Sequence, residues 1–141
     1  MAPRATEAEG NPAVRASVTE TGRASPAVVW GRYENLDLWA TWSPQVQEVI
    51  AATRRLAPGL TGLVVGPLGV RLPFEVTAVD AEAMRWSWHV RYGLVHATLD
   101  HSVSPAPGGG CTTDLVIDAP AYAVLAYRPI AALALRRLVD A

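Results

Sequence analysis

The fold of this chain is decided by the stretch Arg85-Trp86-Ser87-Trp88-His89-Val90-Arg91-Tyr92. Successive side chains of a β-strand point to opposite faces, and this stretch alternates between bulky apolar and polar residues at that period. One face carries Trp86, Trp88, Val90 and Tyr92, and the other carries Arg85, Ser87, His89 and Arg91. The alternation predicts a strand whose apolar face either fills a core or lines a cavity for a flat, apolar ligand.

Length and composition favour one globular domain. The chain has 141 residues, of which 50% are hydrophobic, and its net charge is -1. A near-neutral charge argues against nucleic acid as the main partner, because counterion release requires a clustered basic surface. The single Cys111 allows neither an internal disulfide nor a cysteine cluster for zinc.

Residues 1–12 are predicted to form a disordered leader, since they are poor in aromatic and β-branched residues and lack the apolar region of a signal peptide. The most membrane-like stretch, residues 119–135, is interrupted by Arg128 and Pro129 and is shorter than the roughly 20 residues of a span. We therefore expect a cytoplasmic protein without a membrane span, with one domain over residues 13–141.

Other stretches share the two-residue period of the tryptophan strand. The predicted strands are residues 13–21, 46–56, 61–65, 70–80, 85–92, 95–103 and 112–118. The first is expected at an edge of the sheet. Pro73 predicts an edge position or a bulge near the start of its strand, because proline has no N–H to donate to a neighbouring strand.

Helical signals lie between the first two strands and after the last one. Ser25 can cap a helix that starts at Pro26 and runs to about Asn35. A second short helix must end before Pro44. From residue 120 the period is helical to the end of the chain, with a kink or a break expected at Pro129.

This order of elements predicts an α+β fold. The apolar face of an antiparallel sheet must be covered, and only the C-terminal helix is long enough to cover it. A curved sheet that closes on one helix, with two short helices at one end, encloses a space. The sequence therefore predicts an internal pocket.

Several motifs in this order resemble a known family. They are 25–30 Ser-Pro-Ala-Val-Val-Trp, 39–44 Trp-Ala-Thr-Trp-Ser-Pro, 56–59 Leu-Ala-Pro-Gly, 74–76 Phe-Glu-Val, 86–88 Trp-Ser-Trp, 101–103 His-Ser-Val and 132–138 Ala-Leu-Ala-Leu-Arg-Arg-Leu. Over residues 13–141 the chain resembles the polyketide cyclase/dehydrase-like proteins of the SRPBCC (START-like, birch-pollen-allergen-like) superfamily.

The resemblance implies a helix-grip fold: a curved antiparallel sheet of about six to seven strands wrapped around a long C-terminal helix, with two short helices after the first strand. It also implies a deep hydrophobic cavity between sheet and helix. Members include aromatase/cyclases, lipid and hormone carriers, and proteins that assist other enzymes. They share no catalytic motif, and a fold alone does not identify an enzyme.

Three residues are candidates for acid/base chemistry. His101 falls on the apolar face of its strand, where it is either a hydrogen-bonded core residue or a general acid/base that handles ligand protons. Tyr92 offers a hydroxyl that could polarise a carbonyl. Glu75 is out of phase with its apolar neighbours and is expected on the outer face, unless a bulge after Pro73 turns it inward.

Large flat side chains and one helix stripe are the candidate ligand contacts. Trp86 and Trp88 either pack in the core or form a pocket wall that stacks on a fused-ring ligand. The predicted lining comprises Trp86, Trp88, Phe74, Trp42, Tyr33, Leu99, Tyr122, Ala126, Pro129 and Leu133, the last four as one stripe of the C-terminal helix.

The favoured hypothesis is a cyclase that binds a hydrophobic, polyketide-like molecule and folds it, with His101, Tyr92, Tyr122 or Glu75 acting on protons or carbonyls. The alternative is a non-catalytic carrier or sensor with the same cavity, and a weaker one is an accessory protein. A cyclase needs polar groups inside the cavity, whereas a carrier can have an almost wholly apolar one. We expect no cofactor and no metal; a homodimer is compatible with the sequence.

Overall fold

The computed structural model describes residues 13–140, so the predicted leader at 1–12 lies outside the described residues. The strands are β1 Ala13–Gly22, β2 Glu48–Ala51, β3 Thr61–Val65, β4 Arg71–Asp80, β5 Arg85–Tyr92, β6 Val95–Pro105 and β7 Cys111–Pro120. The α-helices are α1 Pro26–Glu34, α2 Trp39–Trp42 and α3 Ala121–Leu138, with 3₁₀ turns at Leu36–Leu38, Pro67–Gly69 and Pro107–Gly109.

All seven described strands form one curved antiparallel sheet in the order β1-β7-β6-β5-β4-β3-β2. Strands β2 to β7 pair with their neighbours in sequence, and β1 returns to pair with β7. The predicted edge position of the first strand is therefore confirmed. The register places Trp86 opposite His101 and Trp88 opposite Leu99, so these four side chains share one face of the sheet.

The long helix α3 covers the apolar face of the sheet and packs mainly on β1 and β7. Its inward side is buried at Val124, Ala131, Ala134, Leu135 and Leu138. Strand β7 alternates buried and half-buried residues along its whole length, as expected for a strand with one face under a helix. The α+β architecture predicted from the element order is confirmed.

The C-terminal end of α3 is anchored to the start of the domain. The Arg32 guanidinium donates hydrogen bonds from Nη1 to the carbonyl oxygens of Leu138 at 2.6 Å and Asp140 at 2.7 Å. The backbone N–H of Ala24 donates to the carbonyl of Val139 at 3.0 Å. This chain end approaches β1 so closely that a Cβ on Gly22 would lie 2.3 Å from the Val139 carbonyl oxygen. Only glycine fits there.

The first helical signals are confirmed at α1. Ser25 Oγ accepts a hydrogen bond from the Val28 N–H at 3.3 Å, and Pro26 occupies the first turn. The second short helix is a 3₁₀ turn followed by α2, and it ends before Pro44 as predicted.

Helix α3 continues through Pro129 without a break, so of the two predicted outcomes, a kink or a break, the break is wrong. Pro129 lies on the exposed side of the helix. Water can hydrate a backbone carbonyl there that has lost its helical N–H partner, which lowers the cost of an internal proline.

The predicted strand at 46–56 is much longer than the observed β2. Residues after Ala51 leave β3 and bind instead to the segment that follows α1. The Leu36 N–H donates to the Arg54 carbonyl and the Leu56 N–H donates to the Glu34 carbonyl, each at 2.9 Å. Backbone groups that form these hydrogen bonds are not available to pair with a neighbouring strand.

Pro73 is not at a bulge, but it has no strand partner on its β5 side, so the predicted edge position holds locally. It lies in the interior strand β4 opposite Leu63 of β3, and pairing of β4 with β5 begins only at Phe74. No N–H is therefore required of Pro73 on the β5 side. The register shift of β4 lies further along, between Val76 and Ala78.

Candidate functional site

A cavity of about 150 Å³ lies between the sheet and α3. Helix α2 and the following turn contribute Trp39, Trp42, Ser43 and Gln45 to its wall. None of its lining residues is an Asp, Glu, Lys or Arg. The side chains that form the wall from β5, β6 and α3 are Trp86, Trp88, Val90, Ala97, Leu99, His101, Ala123, Tyr127, Ala131, Ala134 and Leu135.

Tryptophans from α2 and β5 pack against one another in the wall of this cavity. Trp39 of α2 packs against Trp86 with ring centroids 5.6 Å apart and against Trp88 at 5.2 Å, the second contact edge to face. Trp86 is 2% exposed, so it belongs to the core and to the cavity wall at once. The two interpretations of this strand are therefore compatible. Trp39 was missing from the predicted lining.

His101 is held by three aromatic side chains. Its ring stacks on Trp86 with centroids 4.4 Å apart and an interplanar angle of 6°. The Trp88 indole N–H donates to Nε2 at 3.1 Å, and the Tyr33 hydroxyl lies 3.1 Å from Nδ1. An indole nitrogen can only donate, so Nε2 must be unprotonated and the proton of the neutral ring lies on Nδ1, where Tyr33 accepts it.

This environment keeps His101 uncharged. Burial lowers its pKa to about 3, because the imidazolium would lose its hydration. A proton on Nε2 would also break the hydrogen bond from Trp88. Both ring nitrogens already have protein partners. The geometry agrees with the hydrogen-bonded core interpretation of His101, and its role in catalysis stays a prediction.

The other two acid/base candidates lie outside the cavity. Tyr92 is 62% exposed at the end of β5 and does not line the cavity, so its predicted inward placement is wrong. Glu75 is exposed on the outer face opposite His89, as the strand period predicts. The bulge that was to turn it inward follows Glu75 instead of preceding it.

The helix stripe assigned to the cavity faces solvent. Tyr122 is 54% exposed, and Ala126, Pro129 and Leu133 lie on the same exposed side. The cavity is lined instead by Ala123, Tyr127, Ala131, Ala134 and Leu135. The physical reason is volume: small alanine side chains under the helix leave space, whereas bulky ones would fill it.

Of the remaining predicted contacts, Trp42 and Leu99 line the cavity. Phe74 is buried in the aromatic cluster against Trp39 but does not line the cavity. Tyr33 is fully buried behind His101 and supports that ring without reaching the cavity.

Sequence reasoning missed a polar pair in the cavity wall. The Gln45 side-chain amide donates from Nε2 to the Tyr127 hydroxyl oxygen at 3.2 Å. Burial raises the pKa of Tyr127, and the hydrogen bond from Gln45 opposes this only in part, so the phenol keeps its proton at neutral pH. Gln45 sits in a turn, where no periodicity indicates which way a side chain points.

His89 and His96 lie together on the outer face of the sheet. His96 Nδ1 is 3.2 Å from His89 Nε2, while His101 lies on the opposite face. Within residues 13–140, no group of three His, Cys, Asp or Glu side chains is placed to hold a metal ion. No helix of the described region is long and apolar enough to cross a membrane.

Comparisons with known proteins agree with this architecture. The family model described as "Polyketide cyclase / dehydrase and lipid transport" matches residues 13–141. The chain is also similar to the crystal structure of Ara h 8.0201, with a TM-score of 0.67 at 11% identity over 89% of this chain and 98% of that one, a likeness of fold. No curated protein matches. This helix-grip chain therefore belongs to the polyketide cyclase/dehydrase and lipid transport family of the SRPBCC superfamily.

Proposed function

We propose that this protein binds a compact, uncharged hydrophobic molecule in the cavity under α3 and acts as its carrier or sensor. The observation that carries the proposal is the chemistry of the cavity wall, which is almost wholly apolar and has no charged side chain among its lining residues. Binding of hydrophobic molecules is the property that the family description suggests. An apolar wall favours such ligands, because apolar surface is removed from water on both sides of the contact.

The size of the cavity sets the size of the ligand. An engineered apolar cavity of about 150 Å³ binds benzene, whereas pockets for drug-sized ligands have roughly 300–1,000 Å³. The cavity of about 150 Å³ found in this chain therefore suits a molecule of one ring. A long polyketide chain would require α3 to move away from the sheet.

Cyclisation of a polyketide-like substrate is a second candidate function. The observation in its favour is Tyr127, a buried phenol that keeps its proton and lies in the cavity wall. A hydroxyl in that position can donate a hydrogen bond to a substrate carbonyl and stabilise the negative charge that develops there. Against it stands His101, which is neutral and already hydrogen-bonded at both nitrogens.

Binding and turnover can be separated in one set of measurements. Calorimetric titration with toluene, a one-ring hydrocarbon, should give saturable binding at one site per chain. Incubation with linear β-polyketone thioesters should give no product faster than the same mixture without protein. Accelerated ring formation that disappears in Tyr127→Phe would replace the carrier by the cyclase. No binding of toluene would contradict the carrier, and no binding together with no acceleration would contradict both.

A further inference from the structure

Two polar atoms in the cavity wall are buried without a hydrogen-bond partner. They are Gln45 Oε1 and Trp86 Nε1, and both residues line the same space under α3. The large majority of buried side-chain polar atoms in native proteins are hydrogen-bonded. Trp30 Nε1 and Thr113 Oγ1 are also buried without a partner, but neither residue lines the cavity. Of the two atoms in the wall, Gln45 Oε1 belongs to an amide that contacts a second polar group, the Tyr127 hydroxyl, and it is the one that a bound molecule can satisfy.

The Gln45 amide also fixes what its neighbour can do. Nε2 donates to the Tyr127 hydroxyl oxygen at 3.2 Å, which leaves the amide Oε1 as an acceptor and the Tyr127 proton as a donor. If the amide is rotated by 180°, Tyr127 donates to Oε1 and Nε2 becomes the unpaired group. A hydroxyl both donates and accepts, so it satisfies either orientation.

The absence of charged side chains from the lining limits which functional group the ligand can place beside Gln45. A carboxylate or an ammonium group in this cavity would have no opposite charge in the lining to pair with, and an unpaired buried charge is strongly unfavourable. Single-function groups, such as an ether, satisfy only one orientation of the amide. An uncharged hydroxyl is the simplest group that meets both conditions.

We infer that the ligand is a compact ring alcohol or phenol whose hydroxyl binds at Gln45 and Tyr127. The ring occupies the apolar space against Trp86, Trp88 and Leu99. The inference rests on the proposed function, because it assigns a polar contact to the same hydrophobic site.

The test uses two probes of nearly equal shape, phenol and toluene, in which a hydroxyl replaces a methyl group. Kd is measured for both by calorimetry in the wild type, in Gln45→Leu and in the control Gln47→Leu. Gln47 is exposed in the same segment, so its replacement leaves the cavity unchanged. One hydrogen bond corresponds to about a three- to tenfold change in Kd. We expect Gln45→Leu to weaken phenol binding relative to toluene by that factor, and Gln47→Leu to leave the ratio unchanged.

A second variant, Tyr127→Phe, keeps the ring in the wall and removes only the hydroxyl. It should shift the same Kd ratio in the same direction, which protects the test if Gln45→Leu does not fold. An unchanged ratio in the variants, with toluene still bound, overturns the inference and leaves the proposed function standing. If the wild type binds neither probe, the proposed function falls and the inference falls with it.

Discussion

His101 illustrates how neighbouring side chains decide the chemistry of one residue. The strand period correctly places it on the apolar face, beside Trp88 and opposite Trp86. Its protonation depends on contacts that the alternation of residues along the strand cannot reveal. Nε2 accepts a hydrogen bond from the Trp88 indole N–H, and Nδ1 contacts the hydroxyl of Tyr33, a residue of α1. The face of the sheet on which His101 lies could be predicted from the sequence, but the hydrogen-bond partners of its two ring nitrogens could not.

The first prediction concerns the tautomer of His101. Because Nε2 accepts from Trp88, the proton should reside on Nδ1 throughout the neutral pH range. Nitrogen-15 NMR of the imidazole should show a protonated Nδ1 and an unprotonated Nε2. In Trp88→Phe this preference should weaken, since the donor is lost. A wild-type ring with its proton on Nε2 would contradict the described geometry.

The second prediction concerns stability below neutral pH. The pKa of His101 is about 3 in the fold against about 6.5 in an unfolded chain, so only the unfolded state gains a proton as the pH falls between these values. The free energy of unfolding should therefore fall by on the order of 1 kcal/mol per pH unit in this window. Well above pH 6.5 neither state binds this proton, so His101 should no longer make the free energy of unfolding depend on pH.

Urea unfolding of the wild type and of His101→Gln between pH 7 and pH 4 measures this contribution. Glutamine can accept from Trp88 and donate to Tyr33 but does not titrate. Carboxylates titrate in both proteins, so the difference between the two curves isolates the imidazole. Parallel curves across this range would show that His101 is protonated in the fold as readily as in the unfolded chain.

Residues outside regular elements limited the prediction of the site. Gln45 lies in the turn between α2 and β2, where no hydrophobic period applies. Tyr92 fails for a different reason: it keeps the phase of its strand, but it lies at the tip of the β5–β6 hairpin opposite Val95, beyond the cavity. Alternation identifies a face of a sheet, and it does not reveal how far the covering helix extends.

At the scale of elements, α3 shows that bulk can mislead. The helix is apolar on most sides, so its pattern gives no clear inward face, and the stripe with the larger residues Tyr122 and Leu133 is the exposed one. The inward stripe is rich in alanine, which a search for bulky contacts overlooks. A helix that covers a cavity needs small residues on its inward side. In such a helix the stripe of small residues, and not the stripe of bulky ones, indicates the side that lines the cavity.

The third prediction tests this assignment with one substitution at two positions of α3. Ala123→Leu adds bulk inside the cavity, and Ala126→Leu adds the same bulk on the solvent side. Calorimetry with toluene should show at least a tenfold loss of affinity in the first variant and no change in the second. Equal affinities in the two variants would mean that the cavity is not the binding site.

Competition between elements explains the one strand whose length was badly predicted. Residues 46–56 have a strand-like composition, yet only Glu48–Ala51 pair in the sheet. The remainder binds to the backbone after α1 through Leu36 and Leu56. Local pattern could not reveal this, because each bond joins residues about 20 positions apart in the chain, at the end of α1 and in the loop after β2.

For the whole molecule, the order of elements was enough to predict the fold. One antiparallel sheet and one long helix leave few arrangements that bury the apolar face, and the observed helix-grip architecture is one of them. What the order could not predict is how the helix is fastened. That depends on Arg32, whose guanidinium binds two carbonyl groups at the far end of the chain.

The fourth prediction concerns this fastening. Arg32→Leu removes the hydrogen bonds to Leu138 and Asp140 and should lower the free energy of unfolding by about 1.5–3 kcal/mol, the range for bonds to charged groups. Arg128→Leu is the control, since Arg128 is exposed and makes one long contact to Ser17 at 3.5 Å. Its effect should stay within about 0.5 kcal/mol.

Thermal and urea unfolding of both variants will measure the difference. A loss in Arg32→Leu no larger than in the control would mean that apolar packing alone holds the end of α3 in place.

The hydrogen bonds of Arg32 to the end of α3 also have a consequence for folding. Arg32 and Leu138 are 106 positions apart, and α3 is translated after every strand that it covers. Until α3 packs on the sheet, the apolar face of β1 and β7 that it covers stays exposed to water. Contacts between distant positions form slowly, and uncovered apolar strands aggregate. Refolding from denaturant is thus expected to lose yield to aggregation as the protein concentration rises.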